Sequence, residues 1–273
     1  MNKAASLASI LAALAVPHDR VLYIHSSMDW ISRAGISIEE AINGLLHWVE
    51  SDGGTLVFPS FPFRGSHEAY LSANPIFDVR RSPARVGLLN ETFRRRKGVK
   101  RSIDPDLSVV AIGPLADIIV GDRPTGADPT GPDSPFERVL RNGGYLLGLG
   151  VSFNYMNMIH VLDSRYRNDY HFNIFSDRLY HARSIDYDGV RHDLKKQAML
   201  NDLQVHIKPS RVIRELNPTR DIFRNLAVGE SLFFIWDLLP WETMCVRHIE
   251  ERLSDARPPC WLEEVAIRLP HRP

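Results

Sequence analysis

Cysteine is almost missing from this chain: Cys245 and Cys260 are the only two. Two thiols cannot build a disulfide framework or a thiolate zinc site, so the reading is a reducing, cytoplasmic setting with both thiols free. Net charge is missing as well. Thirty-three basic residues balance thirty-three acidic ones, which removes the overall field that a polyanion binder uses and makes nucleic acid a poor partner. No run of about 18 apolar residues occurs, so no membrane span is indicated. There is no GxxxxGK[ST], no GxGxxG at a strand-to-helix turn, no GxSxG elbow and no HExxH. P-loop, dinucleotide, nucleophile-elbow and zincin chemistries therefore lose their usual signatures, and no metal is expected.

What is present is an ordinary globular composition, 44% hydrophobic and 24% charged over 273 residues, enough for one large core or two modest ones. The opening "MNKAASLASILAALAVPHDR" imitates a secretory leader. However, Leu7, Ile10, Leu11 and Leu14 fall at helical spacing, and Pro17 stops the pattern just before the apolar strand "VLYIHSS". A folded amphipathic helix is the better reading. "SIEEAINGLLHWVES" follows as a helix with a Ser37/Glu40 capping box, then "GTLVFPSF" as a strand, "RVGLLNETFRRRKG" as a helix, "SVVAIGP" as a strand, "PLADIIVGD" as a short helix and "GGYLLGLG" as a strand. This alternation predicts an α/β fold, a mixed sheet core with flanking helices. Beyond about residue 170 the pieces "RLYHARSIDY", "VRHDLKKQAML" and "SLFFIWDLL" read as β-like, predicting a smaller β-rich C-terminal portion. No linker separates the halves, so residues 1–273 are taken as one domain, 1–170 carrying the α/β part and 171–273 the mixed remainder.

Chemistry is suggested at several places. Read as helix, "NMIHVLDSRYR" sets His160 and Asp163 three residues apart on one face, where a carboxylate can orient an imidazole base. A packed or surface histidine is the competing reading. His25, Ser26 and Ser27 end a buried strand, the place where α/β sheets gather ligands, although such hydroxyls also satisfy local backbone. Ser82 and Arg85 precede a helix start and could cradle an anion, or could cap a helix beside a solvated arginine. The run "RRRKGVKR" at 94–101 is either a solvated face or a contact for a phosphate-bearing ligand. "GDRPTGADPTGPDSP" after Gly121 is a turn-rich connector suited to a binding loop.

Taken together, "LYIHSSM", "GGTLVFPSF", "SPARVGLLNETFRR", "RSIDPDLSVVAIGP" and "GPDSPFERVLRNGGYLLGLG" followed by "IHVLD" resemble the aminoglycoside 3-N-acetyltransferase family, in the same order, over roughly residues 5 to 165. The resemblance implies metal-free acetyl transfer from acetyl-coenzyme A to a sugar amine, and with it antibiotic resistance. It places His160 as the catalytic histidine and Asp163 as the acid that orients it, where the family commonly has Glu. His25, Ser26, Ser27, Ser82, Arg85 and Ser108 fall on the coenzyme side, and Asp104 and Asn154 near the acceptor. Two departures stand out. Asp104 replaces a usual histidine, and "GVSFNYMN" replaces "GHDSNT", keeping only Asn154. Arg165 and Arg167 would repel a polycation if they faced the same cleft. The expected partner is therefore an amino sugar or aminoglycoside-like small molecule, with a neutral or anionic amine as a serious alternative, and a homodimer is left open. A catalytically inactive binding homologue and a thioesterase-like hydrolase are the competing functions.

Overall fold

The computed structural model describes residues 6–50, 52–200 and 206–267. In chain order the elements are α1 (Leu7–Ala13), β1 (Val21–Ser26), α2 (Met28–Ala34), α3 (Ile38–Glu50), β2 (Thr55–Pro59), α4 (His67–Ser72), β3 (Ile76–Asp78) and α5 (Leu88–Arg94). There follow β4 (Lys100–Arg101), β5 (Val109–Ile112), α6 (Ala116–Val120), α7 (Pro135–Arg141), β6 (Tyr145–Leu149), α8 (Ile159–Arg165), β7 (Phe175–Ile185) and β8 (Arg191–Met199). The chain continues through α9 (Arg211–Leu216), β9 (Phe223–Val228), β10 (Ser231–Asp237), α10 (Leu238–Ser254), a 3-10 turn at Cys260–Leu262 and α11 (Glu263–Ala266).

Seven strands form the main sheet in the order β4-β5-β2-β1-β6-β10-β9. At its centre β1 runs parallel to both β2 and β6, while the outer pairs are antiparallel. A three-stranded sheet, β3-β7-β8, packs apart from it. The fold is thus α/β with a mixed sheet core and a smaller β-rich unit. Both sheets draw strands from either side of residue 170: β3 pairs with β7, and β10 pairs with β6.

The central strands are buried along nearly their whole length and mostly apolar because helices cover both faces. Val21 and Tyr23 of β1 enter one core with Phe136 of α7 and Ile159 and Leu162 of α8. Leu22 and Ile24 enter the other with Ile10 and Leu11 of α1, Trp30 of α2 and Ile42 and Leu45 of α3. The predicted capping box is present: Glu40 accepts from the Ser37 backbone N–H at 2.7 Å, and Ser37 Oγ accepts from Glu40 N–H at 3.1 Å. Helix α2 was not expected from the sequence. It is seven residues long and ends at Gly35 with φ 67°, and it is held by the burial of Trp30 and Ile31, a tertiary cause that local pattern does not reveal. Gly150 follows β6 at φ 68°, and a Cβ there would lie 2.6 Å from Trp30. Only glycine lets β6 turn off beside α2.

Candidate active site

The carboxyl ends of β1, β2 and β6 open into a cavity of about 830 Å³, the position where ligands collect in α/β sheets. His25, Ser26 and Ser27 from the tip of β1, Pro59 from β2 and Gly150 after β6 line one side; His160 of α8 lines another. Among the described residues, no helix is long and apolar enough to cross a membrane.

His160 is braced from behind. Its Nδ1 lies 2.9 Å from Asp163 Oδ2, and the Asp163 side chain is fully buried while that of His160 keeps 16% exposure. Trp261 Nε1 donates to Asp163 Oδ1 at 2.8 Å, so both carboxylate oxygens are engaged. Because a carboxylate only accepts, a neutral His160 ring in this contact holds its proton on Nδ1 and presents the Nε2 lone pair. No described residue bonds Nε2, on a ring that lines the cavity. Thr130 Oγ1 donates to the His160 carbonyl at 3.1 Å, tying the turn-rich connector to the start of α8. Nothing in the local sequence pattern points to Trp261, which stands 98 residues from its partner.

The other residues singled out from sequence divide into two groups. Arg85 and Asn154 line the cavity with the three residues of the β1 tip. Ser26 Oγ accepts from Trp30 Nε1 at 2.8 Å, and Ser27 Oγ donates to the Gly150 carbonyl at 2.7 Å, so these hydroxyls also hold the cavity wall together. His25 is 8% exposed with Nε2 unpartnered, and burial pushes its pKa down to about 4. Asn154 Oδ1 accepts from Ser210 N–H at 3.2 Å.

Ser82, Ser108 and Asp104 are not in the cavity wall. Ser82 Oγ accepts from Asp78 N–H at 2.9 Å. Ser108 is buried, donating to the Ser60 carbonyl at 2.7 Å. Asp104 Oδ1 accepts from the backbone and hydroxyl of Thr125 at 2.7 and 2.6 Å. The arginines expected to repel a polycation also point elsewhere. Arg165 pairs with Glu242 at 2.6 Å, and Arg167 bonds Gln197 at 2.8 Å over the Phe175 ring; neither lines the cavity.

A second histidine on the cavity wall went unread in the sequence. His67 Nε2 stands 3.3 Å from Asp106 Oδ2, and Lys196 Nζ stands 3.5 Å from Asp106 Oδ1, all three side chains being buried. Lys196 also donates to Thr125 Oγ1 and to the Gly126 carbonyl at 2.9 Å. Burial alone would raise the Asp106 pKa, but the Lys196 charge and the His67 contact outweigh it and hold it at about 2.

A sequence profile described as Aminoglycoside 3-N-acetyltransferase matches residues 23–235. The chain belongs to the aminoglycoside 3-N-acetyltransferase family. It is 32% identical over 167 residues to aminoglycoside N(3)-acetyltransferase VII of Streptomyces paromomycinus, an alignment covering 56% of this chain and 57% of that protein. With aminoglycoside N(3)-acetyltransferase IV of a Salmonella species the identity is 34%, covering 58% of each. The chain therefore spans a little over half the length of the curated relatives it matches. Among solved structures it resembles aminoglycoside acetyltransferase AAC(3)-Xa with a TM-score of 0.70 and 25% identity, covering 89% of this chain and 90% of the other. AAC-IIIb solved with CoASH shares the fold at a TM-score of 0.70 and 20% identity over 90% and 95% of the two chains.

Proposed function

We propose that this family member is an acetyl-coenzyme A-dependent N-acetyltransferase in which His160 is the base. The observation that carries the reading is the ring itself: Nδ1 is fixed on a buried carboxylate that Trp261 holds in turn, and Nε2 is left open beside the cavity. An ammonium group has no lone pair to attack a thioester, so the acceptor must lose a proton before attack. In the proposed reaction the acceptor ammonium first releases one proton to solvent; the neutral amine nitrogen then forms a bond to the acetyl carbon while a second proton passes from it to His160 Nε2. The C–S bond breaks, and the departing thiolate recovers that proton. Asp163 stabilises the imidazolium between the two transfers, a role for a buried negative charge that carries no other cation partner.

The cavity is in the size range of small-molecule sites, and Arg64 and Arg85 on its wall would meet coenzyme phosphates. Its described lining contains one carboxylate, Asp29, against those two arginines. Each ammonium of a polyamine buried without a partner costs on the order of a few kcal/mol. We therefore infer an acceptor with few positive charges, an anionic or neutral amino sugar, over a kanamycin-type polycation. A thiol-release assay with acetyl-coenzyme A against both amine classes tests each claim. Amine-dependent release that favours nucleotide-linked amino sugars is the expected result. Thiol release that needs no amine would replace transfer with hydrolysis, and rapid turnover of kanamycin would overturn the acceptor assignment.

A further inference from the structure

Outside the cavity, the basic run at 94–101 and the segment at Arg80 and Arg81 converge on a separate groove of about 530 Å³. Five arginines, Arg80, Arg81, Arg94, Arg95 and Arg101, line it with Tyr187. Only two carboxylates among the described residues come within ion-pair reach of them. Glu91 is shared by Arg94 and Arg95 at 2.7 Å each, and Asp78 lies 3.9 Å from Arg81. Three positive charges are left in excess.

Arg101 sharpens the imbalance. It is 2% exposed, yet its guanidinium bonds only neutral oxygens: Ser108 Oγ at 3.3 Å, the Ser60 carbonyl at 2.5 Å and the Ser82 carbonyl. Its charge lies over the Phe77 ring at 4.6 Å, with no described carboxylate in salt-bridge range. A buried cation without a counter-ion is costly unless an anion completes it. The remaining donors face outward: the Arg81 and Arg95 side chains are 89% and 70% exposed, and the planar forks of such residues suit phosphate oxygens. Arg80 lies over the Tyr187 ring at 5.0 Å and donates to the Tyr187 carbonyl at 2.9 Å, which holds one wall of the groove in place.

We propose that this groove is a second ligand site, specific for a phosphomonoester or diphosphate group. The phosphate belongs either to the coenzyme or to a separate phosphorylated small molecule, and the chemistry recognised is the same. The site stands independently of acetyl transfer, so its test reads binding alone. Inorganic pyrophosphate titrated calorimetrically at roughly 0.15 M salt into a full-length Arg64→Ala/Arg85→Ala variant, which lacks the phosphate contacts of the other cavity, should saturate at one per chain. Arg81→Ala and Arg95→Ala should each weaken it about tenfold, the worth of one charge-assisted hydrogen bond. Both side chains are exposed enough for the variants to fold, which unchanged melting without ligand would verify. Arg214→Ala, an exposed arginine outside the groove, should leave binding intact. Unsaturable heat, or equal affinity with and without the Arg81→Ala/Arg95→Ala pair in that background, would overturn the site. Displacement of pyrophosphate by coenzyme A but less well by 3′-dephospho-coenzyme A would assign the phosphate to the coenzyme. Displacement by neither would assign the site to a separate phosphorylated molecule.

Discussion

Two histidine–aspartate pairs border the same cavity, and they are built for opposite ends. His67 is 1% exposed and turns both nitrogens inward, Nδ1 accepting from Met199 N–H at 3.2 Å and Nε2 facing Asp106. Lys196 already balances the Asp106 charge. His160 turns one nitrogen inward and leaves the other open, and Asp163 is held by a neutral indole N–H instead of a cation. His67 thus spends one nitrogen on a backbone amide and faces an aspartate that a lysine already balances. His160 keeps an open nitrogen on the cavity and backs onto an aspartate with no cation beside it. If the proposed role of His160 holds, a His–Asp contact is chemistry or scaffold according to what else the aspartate touches.

The largest effect should come from removing the open pair. His160→Ala should lower turnover by about 10² to 10⁴-fold, the usual worth of a general base, with coenzyme binding retained. His67→Gln should reduce stability but leave the pH dependence of the surviving activity in place. Steady-state rates measured across pH on both variants decide this, and near-normal turnover in His160→Ala would reverse the assignment.

Next in size is a stability effect at the closed pair. Lys196→Met strips the buried Asp106 of its cation and should cost about 3–5 kcal/mol at neutral pH. The Lys196→Met/Asp106→Leu double variant should recover most of it, since no buried charge is then left unpaired. Urea denaturation gives both values. If the double variant were no more stable than Lys196→Met, the pairing would be incidental.

These pairs also mark what the sequence could reveal. His160 and Asp163 were legible because three residues on one helix fix their distance. His67, Asp106 and Lys196 lie in α4, before β5 and in β8, and nothing local brings them together. Trp261 lies beyond the residues that the family profile matches, so neither spacing nor resemblance pointed to it. Alternating strands and helices disclosed the α/β class, and the β-like pieces after residue 170 disclosed β7, β8 and β10. The return of β9 and β10 to the main sheet is set by pairing across the fold, β10 taking its register from β6, and leaves no mark in the local pattern. The same limit explains Ser108 and Asp104: family position put them in a neighbourhood, whereas burial and Thr125 decide where their polar atoms point.

His25 offers an intermediate test, as a cavity histidine with no aspartate at all. Burial lowers its folded pKa to about 4, below the unfolded value of about 6.5. The native state therefore binds fewer protons, so the contribution is fully present above the unfolded pKa and is lost as pH falls from about 6.5 towards 4. The loss amounts to about 3 kcal/mol at its full extent. His25→Gln should flatten the stability profile in that window and leave it parallel to wild type above pH 7. Parallel profiles throughout would show that His25 is protonated as easily folded as unfolded.

The smallest effect separates the two supports of His160, and its sign is the useful part. Asp163→Asn removes the charge that favours the imidazolium, so the acidic limb of kcat/KM should move down. Trp261→Phe does the reverse. Without the indole N–H, Asp163 Oδ1 has no donor, its charge bears more strongly on the ring, and the limb should move up. The rate should fall only about tenfold, because the carboxylate stays and loses one hydrogen bond of orientation. Simple loosening of the core would lower the rate in both variants without moving the limbs apart. Opposite displacements of the limb in Asp163→Asn and Trp261→Phe therefore identify Trp261 as a positioning residue for the base, and shifts in the same direction, or none, would reduce it to packing.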